Sequence, residues 1–297
     1  LNTEGSSSDG FKSSYFEVKI EDLKPNTLYA YRVGNNQFKS EWHQFTTAND
    51  KESPISFLYV GDAQNYILSL WSRVIRKAYK VAPDADFFIH AGDLVDKAHS
   101  ESEWNEWFTA GSFIHSEIPS IAVPGNHEYS STSIFNEGVS KLSLQWKSQF
   151  SFPENGPKGM EETCYYVDYP NLKVIALNSN DKIKLQAKWL KKVLAENLKQ
   201  KAHKEKKVID DARLLGEKLM ALVIKIPSKI GIGDKLFGSV SSADLVKIFN
   251  ARGHEIDRNS ISIPGKNIKR IGRYEANIRL HREVSIKLSF EVIPEKK

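Results

Sequence analysis

The chain has 297 residues, 40% of them hydrophobic, and a formal net charge of +5, which is typical of a globular protein with more than one domain. Cys164 is the single cysteine, so an internal disulfide is excluded. No apolar run is long enough to span a bilayer, and the sequence therefore predicts no membrane partner.

The charge is unevenly distributed along the chain. Residues 1–197 contain 20 Lys and Arg against 25 Asp and Glu, whereas residues 198–297 contain 22 against 12. An asymmetry of this size indicates two modules with different partners, and a basic module favours nucleic acid. A solvated basic face without a ligand is the alternative that composition leaves open.

The first 49 residues contain segments typical of β-strands. Residues 23–33, which include Tyr29, and residues 42–47 resemble the last third of a fibronectin type III sandwich. The resemblance implies that Tyr29 is a tyrosine-corner residue and that residues 42–47 form the closing strand. Such a sandwich has about seven strands, and roughly three fit before residue 50, so we expect a partial, truncated β-sandwich over residues 1–49.

Three apolar runs follow, and each ends in a short polar motif. The runs at residues 55–60, 85–91 and 118–123 are interpreted as buried strands, and amphipathic helical stretches separate them. This order predicts a parallel sheet with crossover helices, in which ligands bind at the carboxyl ends of the strands. The motifs at those ends are Gly61-Asp62-Ala63-Gln64, Gly92-Asp93-Leu94-Val95-Asp96 and Gly125-Asn126-His127-Glu128.

Oxygen-bearing side chains would thus converge from three strand ends. Asp62, Asp93 and Asn126 each follow a glycine, which lets backbone and ligand approach closely. Carboxylate and amide oxygens are the ligands that hard or borderline divalent metals prefer. The alternative is three unrelated turns with capping side chains.

Taken in this order, the three motifs resemble the calcineurin-like metallophosphoesterases, and among them the purple-acid-phosphatase-like branch, whose pattern is G-D, G-D-x-x-Y and G-N-H-[DE]. The resemblance implies an α/β metallophosphoesterase sandwich, two divalent metal ions (Mn, Zn, Fe or Mg) and a phosphoester substrate. It implies that Asp62 binds one metal, Asp93 bridges both and Asn126 binds the second. Asn126 and His127 would contact the substrate phosphate, and His127 would be catalytic, beside the leaving-group oxygen.

The chain departs from the family pattern in three ways. Asp96 stands where the purple enzymes have a tyrosine, and Gln64 where the wider superfamily often has a histidine. Both are additional candidate metal ligands, and a solvated turn residue is the alternative for each. The family also completes its site with later histidines, one in a G-H-x-H turn that is missing from this sequence. We therefore expect the N-terminal half of the domain over residues 50–197, with impaired activity.

The basic module has its own pattern. A charged connecting helix is predicted at residues 198–220, and a small α+β domain at residues 221–297, with a Ser-capped helix and two strands of alternating polarity. The segments G-D-K-L-F-G-S-V, G-H-E-I-D-R, I-G-R-Y-E and L-H-R-E-V resemble the C-terminal domain of bacterial ribosomal protein L nine. The resemblance implies ribosomal RNA as a partner. Cations that could neutralise its phosphates are Lys235, Arg252, Arg258, Lys269 and Arg270.

The sequence therefore predicts a multidomain, composite chain whose junction lies in a charged helix at residues 185–196. A natural fusion, an engineered chimera and an assembly error all fit this pattern. The favoured function is impaired metal-dependent phosphoesterase activity. The alternative is a structural protein that associates with ribosomal RNA through the basic module.

Overall fold

The computed structural model describes residues 2–6, 9–10, 12–131, 140–265 and 267–295. The chain forms two compact units, Leu1–Lys192 and Val193–Lys297. The boundaries expected from sequence after residues 49, 197 and 220 are finer than this division and stay predictions. No helix in the described part of the chain combines the length and apolar character needed to cross a membrane.

The first unit contains short strands and four α-helices. Its strands are β1 (Asn2–Ser6), β2 (Lys12–Phe16), β3 (Leu28–Tyr31), β4 (His43–Thr46), β5 (Phe57–Val60), β6 (Phe87–His90), β7 (Ser120–Ala122), β8 (Tyr129–Ser131), β9 (Ser140–Leu142), β10 (Tyr165–Asp168) and β11 (Lys173–Ala176). Its helices are α1 (Ser72–Val81), α2 (Glu101–Gly111), α3 (Phe113–Glu117) and α4 (Leu144–Gln149), and a π-helical turn, Ile67–Trp71, precedes α1.

A parallel sheet lies at the centre of this unit. Its strand order is β5-β6-β7, and both neighbouring pairs are parallel. The three strands coincide with the apolar runs of the sequence, and helices connect them as the alternating pattern predicts. Because the strands run in one direction, their carboxyl ends lie at one edge of the sheet.

Apolar side chains cover both faces of the sheet at β6 and β7, but Phe57 and Tyr59 of the edge strand β5 are exposed, so the run at residues 55–60 is only half-buried and not the buried strand expected from sequence. On one face, the fully buried Ile75, Trp104 and Trp107 of α1 and α2 belong to the same cluster as Phe88 of β6. On the other face, the antiparallel pair β10–β11 adds Tyr165, whose hydroxyl donates to the carbonyl of Ala122 at 2.8 Å. Burial of each such side chain contributes about 1.5–3 kcal/mol, so the sheet is held mainly by its two apolar faces.

The first two hairpins are separate two-stranded sheets, β1–β2 and β3–β4. The backbone N–H of Lys24 donates to the hydroxyl of Tyr29 at 2.9 Å, five residues upstream of the ring. A tyrosine corner makes a hydrogen bond of this kind. The complete fibronectin type III arrangement stays a prediction.

Two histidines are buried among aromatic rings in the first unit. His90 of β6 stacks on Phe88 with ring centroids 5.6 Å apart, and His115 of α3 stacks on Trp107 at 4.1 Å. Both ring nitrogens of His115 are buried without a hydrogen-bond partner among the described residues. Burial lowers the pKa of His90 to about 3, with His115 as a second cause, and lowers the pKa of His115 to about 4. Both imidazoles are therefore neutral in the folded unit.

Helix α5 comprises Ile183–Met220, so the two helical segments expected from sequence are one helix, and the division into units falls within it. The following elements are β12 (Ile224–Ser228), β13 (Lys235–Val240), α6 (Ser242–Ala251), β14 (Ile261–Ser262), β15 (Ile268–Arg270), β16 (Gly272–His281) and β17 (Val284–Pro294). Short 3-10 turns occupy Ile232–Asp234 and Arg258–Ser260.

The second unit is a small α+β arrangement. Its main sheet has the order β12-β17-β16-β14, and β13 pairs separately with β15. Helix α6 begins with a capping box between Ser241 and Asp244, which agrees with the Ser cap expected from sequence. Leu245 and Phe249 of α6 are fully buried in one cluster with side chains of the main sheet. Pro227 lies in the edge strand β12, where the missing N–H breaks no interior hydrogen bond.

Candidate metal centre

Hydrogen bonds join the loops that leave β5, β6 and β7. The N–H of Asp62 donates to the carbonyl of Gly92 at 3.2 Å, and the N–H of Gln64 donates to the carbonyl of Asp93 at 3.1 Å. The N–H of His127 donates to Asp93 Oδ1 at 2.9 Å. The structure thus brings the loops that carry Asp62, Asp93 and Asn126 to one edge of the sheet.

The glycines of the second and third motifs are sterically required. A Cβ atom on Gly92, whose φ is +92°, would lie 2.7 Å from the Cα of Gly125. A Cβ atom on Gly125 would lie 2.1 Å from Asp93 Oδ1. Only glycine allows these two backbones to approach so closely.

The aspartates of the first two motifs have left-handed backbones. Asp62 and Asp93 have φ angles of 53° and 52°, and Tyr66, just before the π-helical turn, has a φ of 53°. Non-glycine residues rarely adopt this conformation, and Asp and Asn tolerate it best. Strained residues and π-helical turns both cluster at functional sites, so these loops are typical of a binding edge.

Glu128 joins the second and third loops. Its side chain is completely buried. Its carboxylate accepts backbone N–H groups from Gly125 at 2.7 Å, Leu94 at 2.8 Å, Asp93 at 2.9 Å and Val95 at 3.4 Å. Burial raises the pKa of Glu128, and these N–H donors act in the opposite direction. Sequence reasoning assigned no role to Glu128, although the last position of the G-N-H-[DE] pattern was the available signal.

His127 is oriented by Asp96. Its Nδ1 lies 3.0 Å from the backbone oxygen of Asp96 and 3.1 Å from Oδ1 of the same residue. A carbonyl oxygen only accepts, so Nδ1 carries a proton. This hydrogen bond raises the pKa of His127, and the charges of Asp93, Asp96 and Glu128 add to the effect against partial burial. Asp96 therefore contacts the candidate catalytic histidine.

A fourth loop, after β11, reaches the same region. Asn178 is completely buried, and its side-chain amide donates to the hydroxyl of Tyr129 at 2.6 Å. The side-chain amide of Asn180 donates to the carbonyl of Pro124 at 3.3 Å. No local sequence pattern marks these two asparagines, because their partners are distant in sequence.

The remaining candidate ligands differ in exposure. Asp62 and Asn126 are exposed, and Asp93 is half-buried. The side-chain oxygen of Gln64 is buried and has no hydrogen-bond partner among the described residues. A buried oxygen that accepts no hydrogen bond lowers the stability of the folded state. A cation bound to the Gln64 oxygen would remove this cost.

The candidate ligands are oxygen donors on adjoining loops. Asp62, Asp93, Asn126 and Gln64 supply oxygen ligands of the kind that a hard divalent cation takes. Among the described residues, however, no group of three or more His, Cys, Asp or Glu side chains could hold a metal. The histidines downstream of β11 all belong to the second unit, namely His203, His254 and His281.

The basic residues proposed for RNA lie in two groups. All five are exposed. Lys235 on β13 and Arg270 on β15 are directly opposite each other, and Lys269 precedes Arg270. Arg252 instead donates to the carbonyl of Val223 at 3.1 Å, and Arg258 lies in a 3-10 turn. The structure thus brings Lys235 and Arg270 together, whereas Lys269, adjacent to Arg270 on a strand, lies on the opposite face.

Comparison with known proteins separates the two parts of the chain. The family model "Ribosomal protein L9, C-terminal domain" matches residues 210–294, and "Purple acid Phosphatase, N-terminal domain" matches residues 2–47. The large ribosomal subunit protein bL9 of Christiangramia forsetii is 52% identical over 103 residues, which cover 35% of this chain and 69% of that protein. The bL9 protein of Bacteroides thetaiotaomicron is 42% identical over 105 residues, which cover 35% of this chain and 71% of that protein. Through its C-terminal third, the chain belongs to the bL9 family of ribosomal proteins.

A solved structure also matches part of the chain. The purple acid phosphatase PPD1 of yellow lupin (Lupinus luteus) matches with a TM-score of 0.50 and 17% sequence identity, over 65% of this chain and 43% of that chain. A match at this identity shows the fold. Both resemblances expected from the sequence motifs, to a purple-acid-phosphatase-like protein and to the L9 C-terminal domain, are thereby confirmed. The chain spans less than half the length of the solved phosphatase.

Proposed function

We propose that the first unit is the N-terminal half of a metallophosphoesterase that binds divalent metal weakly and hydrolyses phosphoric esters poorly. The observation that carries this proposal is the meeting of three strand-end loops, with Asp62, Asp93 and Asn126 on adjoining segments. Glu128 holds two of those loops together by accepting four backbone N–H groups.

Each side chain has a role that its chemistry allows. Asp62, Asp93 and Asn126 would hold the cation, and the unpaired oxygen of Gln64 is a further ligand. A bound cation polarises a phosphoryl group and lowers the pKa of water. His127, held through Nδ1 by Asp96, would direct Nε2 towards the phosphate or the leaving-group oxygen, where it can donate a hydrogen bond.

The expected impairment follows from the donor count. No described cluster adds a third His, Cys, Asp or Glu ligand to Asp62 and Asp93. Missing ligands reduce both metal affinity and the preorganised geometry that catalysis requires. The proposed cation would therefore be bound weakly.

Replacing Asp93 by Asn should lower the affinity for Mn²⁺ by at least about tenfold, because the variant removes a charged ligand. Asn tolerates the left-handed backbone of this position, so the change tests charge rather than folding. Isothermal titration with Mn²⁺ measures the affinity, and turnover of p-nitrophenyl phosphate with Mn²⁺ or Zn²⁺ measures activity, which we expect to be close to background.

Asp84→Asn is the matched control, because it removes the same charge from an exposed loop of the same unit. Its affinity for Mn²⁺ should equal that of the wild type. Robust wild-type turnover that Asp93→Asn abolishes would contradict the proposed impairment and would mean that other residues complete the site.

A second candidate function is association of the second unit with ribosomal RNA. Membership of the bL9 family supports it, as does the excess of Lys and Arg in residues 198–297, 22 against 12 acidic residues. Several of these cations are exposed and could neutralise phosphates while releasing counterions.

RNA binding of this kind should be weak, non-specific and strongly dependent on salt. We expect the full chain to bind a ribosomal RNA fragment and an unrelated RNA of equal length with the same affinity, and to lose at least about tenfold in affinity between 50 and 200 mM salt. Fluorescence anisotropy with both RNAs at both salt concentrations measures this. Tight binding that discriminates between the RNAs and persists at high salt would show a specific ribosomal component instead.

A further inference from the structure

An exposed aromatic ring stands among cations in the second unit. Phe237 of β13 is 78% exposed, the same fraction as the most exposed phenylalanine elsewhere in the described chain. Lys235 lies two residues earlier on the same strand, and residues two apart on a strand share a face. Phe237 therefore emerges from the strand pair on the side that carries Lys235.

One side of the Phe237 ring packs against the backbone of Gly231. A Cβ atom placed on Gly231 would lie 3.1 to 3.6 Å from three atoms of the Phe237 ring, so the ring covers the backbone of this glycine. The N–H of Phe237 donates to the carbonyl of Lys229 at 2.9 Å. One side of the ring is thus supported while most of its surface faces solvent, which is the form of a stacking platform.

The cations near the Phe237 ring are placed where they destabilise the β13–β15 strand pair. Lys235 and Arg270 face each other across β13 and β15, and like charges in this position destabilise a strand pair. Lys229 is also exposed, and the described ion pairs include none of these three cations. Asp234 is the acidic residue adjacent to Lys235 in sequence, and it is exposed too. This cost is accounted for if an anionic ligand neutralises the cations.

We propose that Phe237 stacks on an unpaired RNA base while Lys229, Lys235 and Arg270 contact the flanking phosphates. The inference rests on the proposed association of the second unit with RNA. It places that association at the surface around Phe237 and specifies single-stranded RNA as the ligand. An acidic peptide would pair with the cations but would leave the ring without a planar partner. A duplex would offer phosphates but no exposed base face.

The test uses the full chain and a fluorescein-labelled single-stranded RNA of about ten nucleotides, a length suited to one such site. Phe237→Ala should weaken binding by about tenfold, whereas Phe237→Tyr, which keeps the ring, should stay within about twofold of the wild type. Lys235→Glu should weaken binding by a similar factor and flatten the salt dependence. The thermal stability of the Lys235→Glu variant should not fall, because the new glutamate lies opposite Arg270 and carries the opposite charge.

Lys287→Glu is the matched control, since it reverses the same charge at an exposed position on β17. It should change the affinity by less than about twofold if binding is local rather than set by net charge. Equal losses for Lys287→Glu and Lys235→Glu would overturn the proposal. So would equal affinity for a duplex of the same length, or stronger competition by polyglutamate than by single-stranded RNA.

Two failures can be told apart. Measurable binding by the wild type that Phe237→Ala leaves unchanged would refute this site and leave RNA association standing. A wild-type chain that binds neither RNA at low salt would refute both.

Discussion

Replacing Glu128 by Leu is expected to unfold the first unit. Four backbone N–H groups would lose their acceptor, those of Leu94 and Val95 in buried positions and those of Gly125 and Asp93 in partly buried ones. Each unpaired buried donor costs about 1–3 kcal/mol, so the sum approaches the whole stability of a typical domain. The loops of the candidate metal centre should lose their arrangement together with the fold.

Tryptophan fluorescence during guanidinium unfolding measures this effect in the full chain. All six tryptophans lie between Trp42 and Trp189, so the signal reports the first unit alone. Glu128→Gln keeps the size and one carbonyl oxygen and should lose about half as much stability. Glu52→Leu, at an exposed position, is the control and should behave as the wild type. A wild-type unfolding midpoint in Glu128→Leu would show that the N–H groups find other partners.

Acidification should destabilise the first unit by about 4 kcal/mol between pH 7.5 and pH 5. The folded-state pKa values of His90 and His115, about 3 and about 4, lie below the ordinary value of 6.5. At a pH between the folded-state pKa and the ordinary pKa, each histidine is protonated in the unfolded chain and neutral in the folded chain. Acid therefore favours unfolding. The stability is fully present above about pH 6.5 and is lost as the pH falls towards the folded-state values, at about 2 kcal/mol per histidine by pH 5.

The same fluorescence experiment at the two pH values tests this dependence. His115→Leu should remove about half of the pH dependence. Carboxyl groups that titrate in the same range contribute equally to both proteins, so the difference between the variant and the wild type reports the imidazole. His203→Gln, on the exposed face of α5, is the matched control and should keep the full dependence. Identical unfolding midpoints of the wild type at both pH values would contradict the assignment of neutral, buried histidines.

The central sheet could be predicted because its strands are continuous apolar runs with helices between them. The motifs after those runs also indicated which loops would meet, since parallel strands end at one edge. The helical segments at residues 185–196 and 198–220 were also expected to run into each other without an obvious break, although the composition changes between them. No Gly or Pro interrupts residues 183–215, which is why one helix runs through both.

The contacts that shape the site could not be predicted in the same way. Glu128 accepts N–H groups from a loop that lies 33 to 35 residues earlier, and no local pattern encodes such a contact. The left-handed backbones of Asp62 and Asp93 likewise depend on how neighbouring loops pack. In the second unit, composition gave the number of cations but not their placement. Arg252 turned out to bind a backbone carbonyl, whereas Lys235 and Arg270 face each other.

Strand β13 shows where local patterns mislead. Its sequence contains Gly238 with a φ of +128°, and the register with β15 shifts between Lys235 and Val240. Glycine and irregular pairing weaken the alternation by which strands are recognised. The exposed ring of Phe237 consequently became evident only from the folded arrangement.

The near contact between Gly92 and Gly125 has a consequence for the thermodynamics of ligand binding. Because neither backbone has room for even one additional carbon atom, the two loops cannot shift independently, and Glu128 restrains them further. A ligand that binds at this edge therefore meets segments that have already lost their conformational freedom during folding. The two loops therefore have little conformational entropy left to lose when a ligand binds. A cation at this edge would meet donors on ordered loops, even though the set of donors is incomplete.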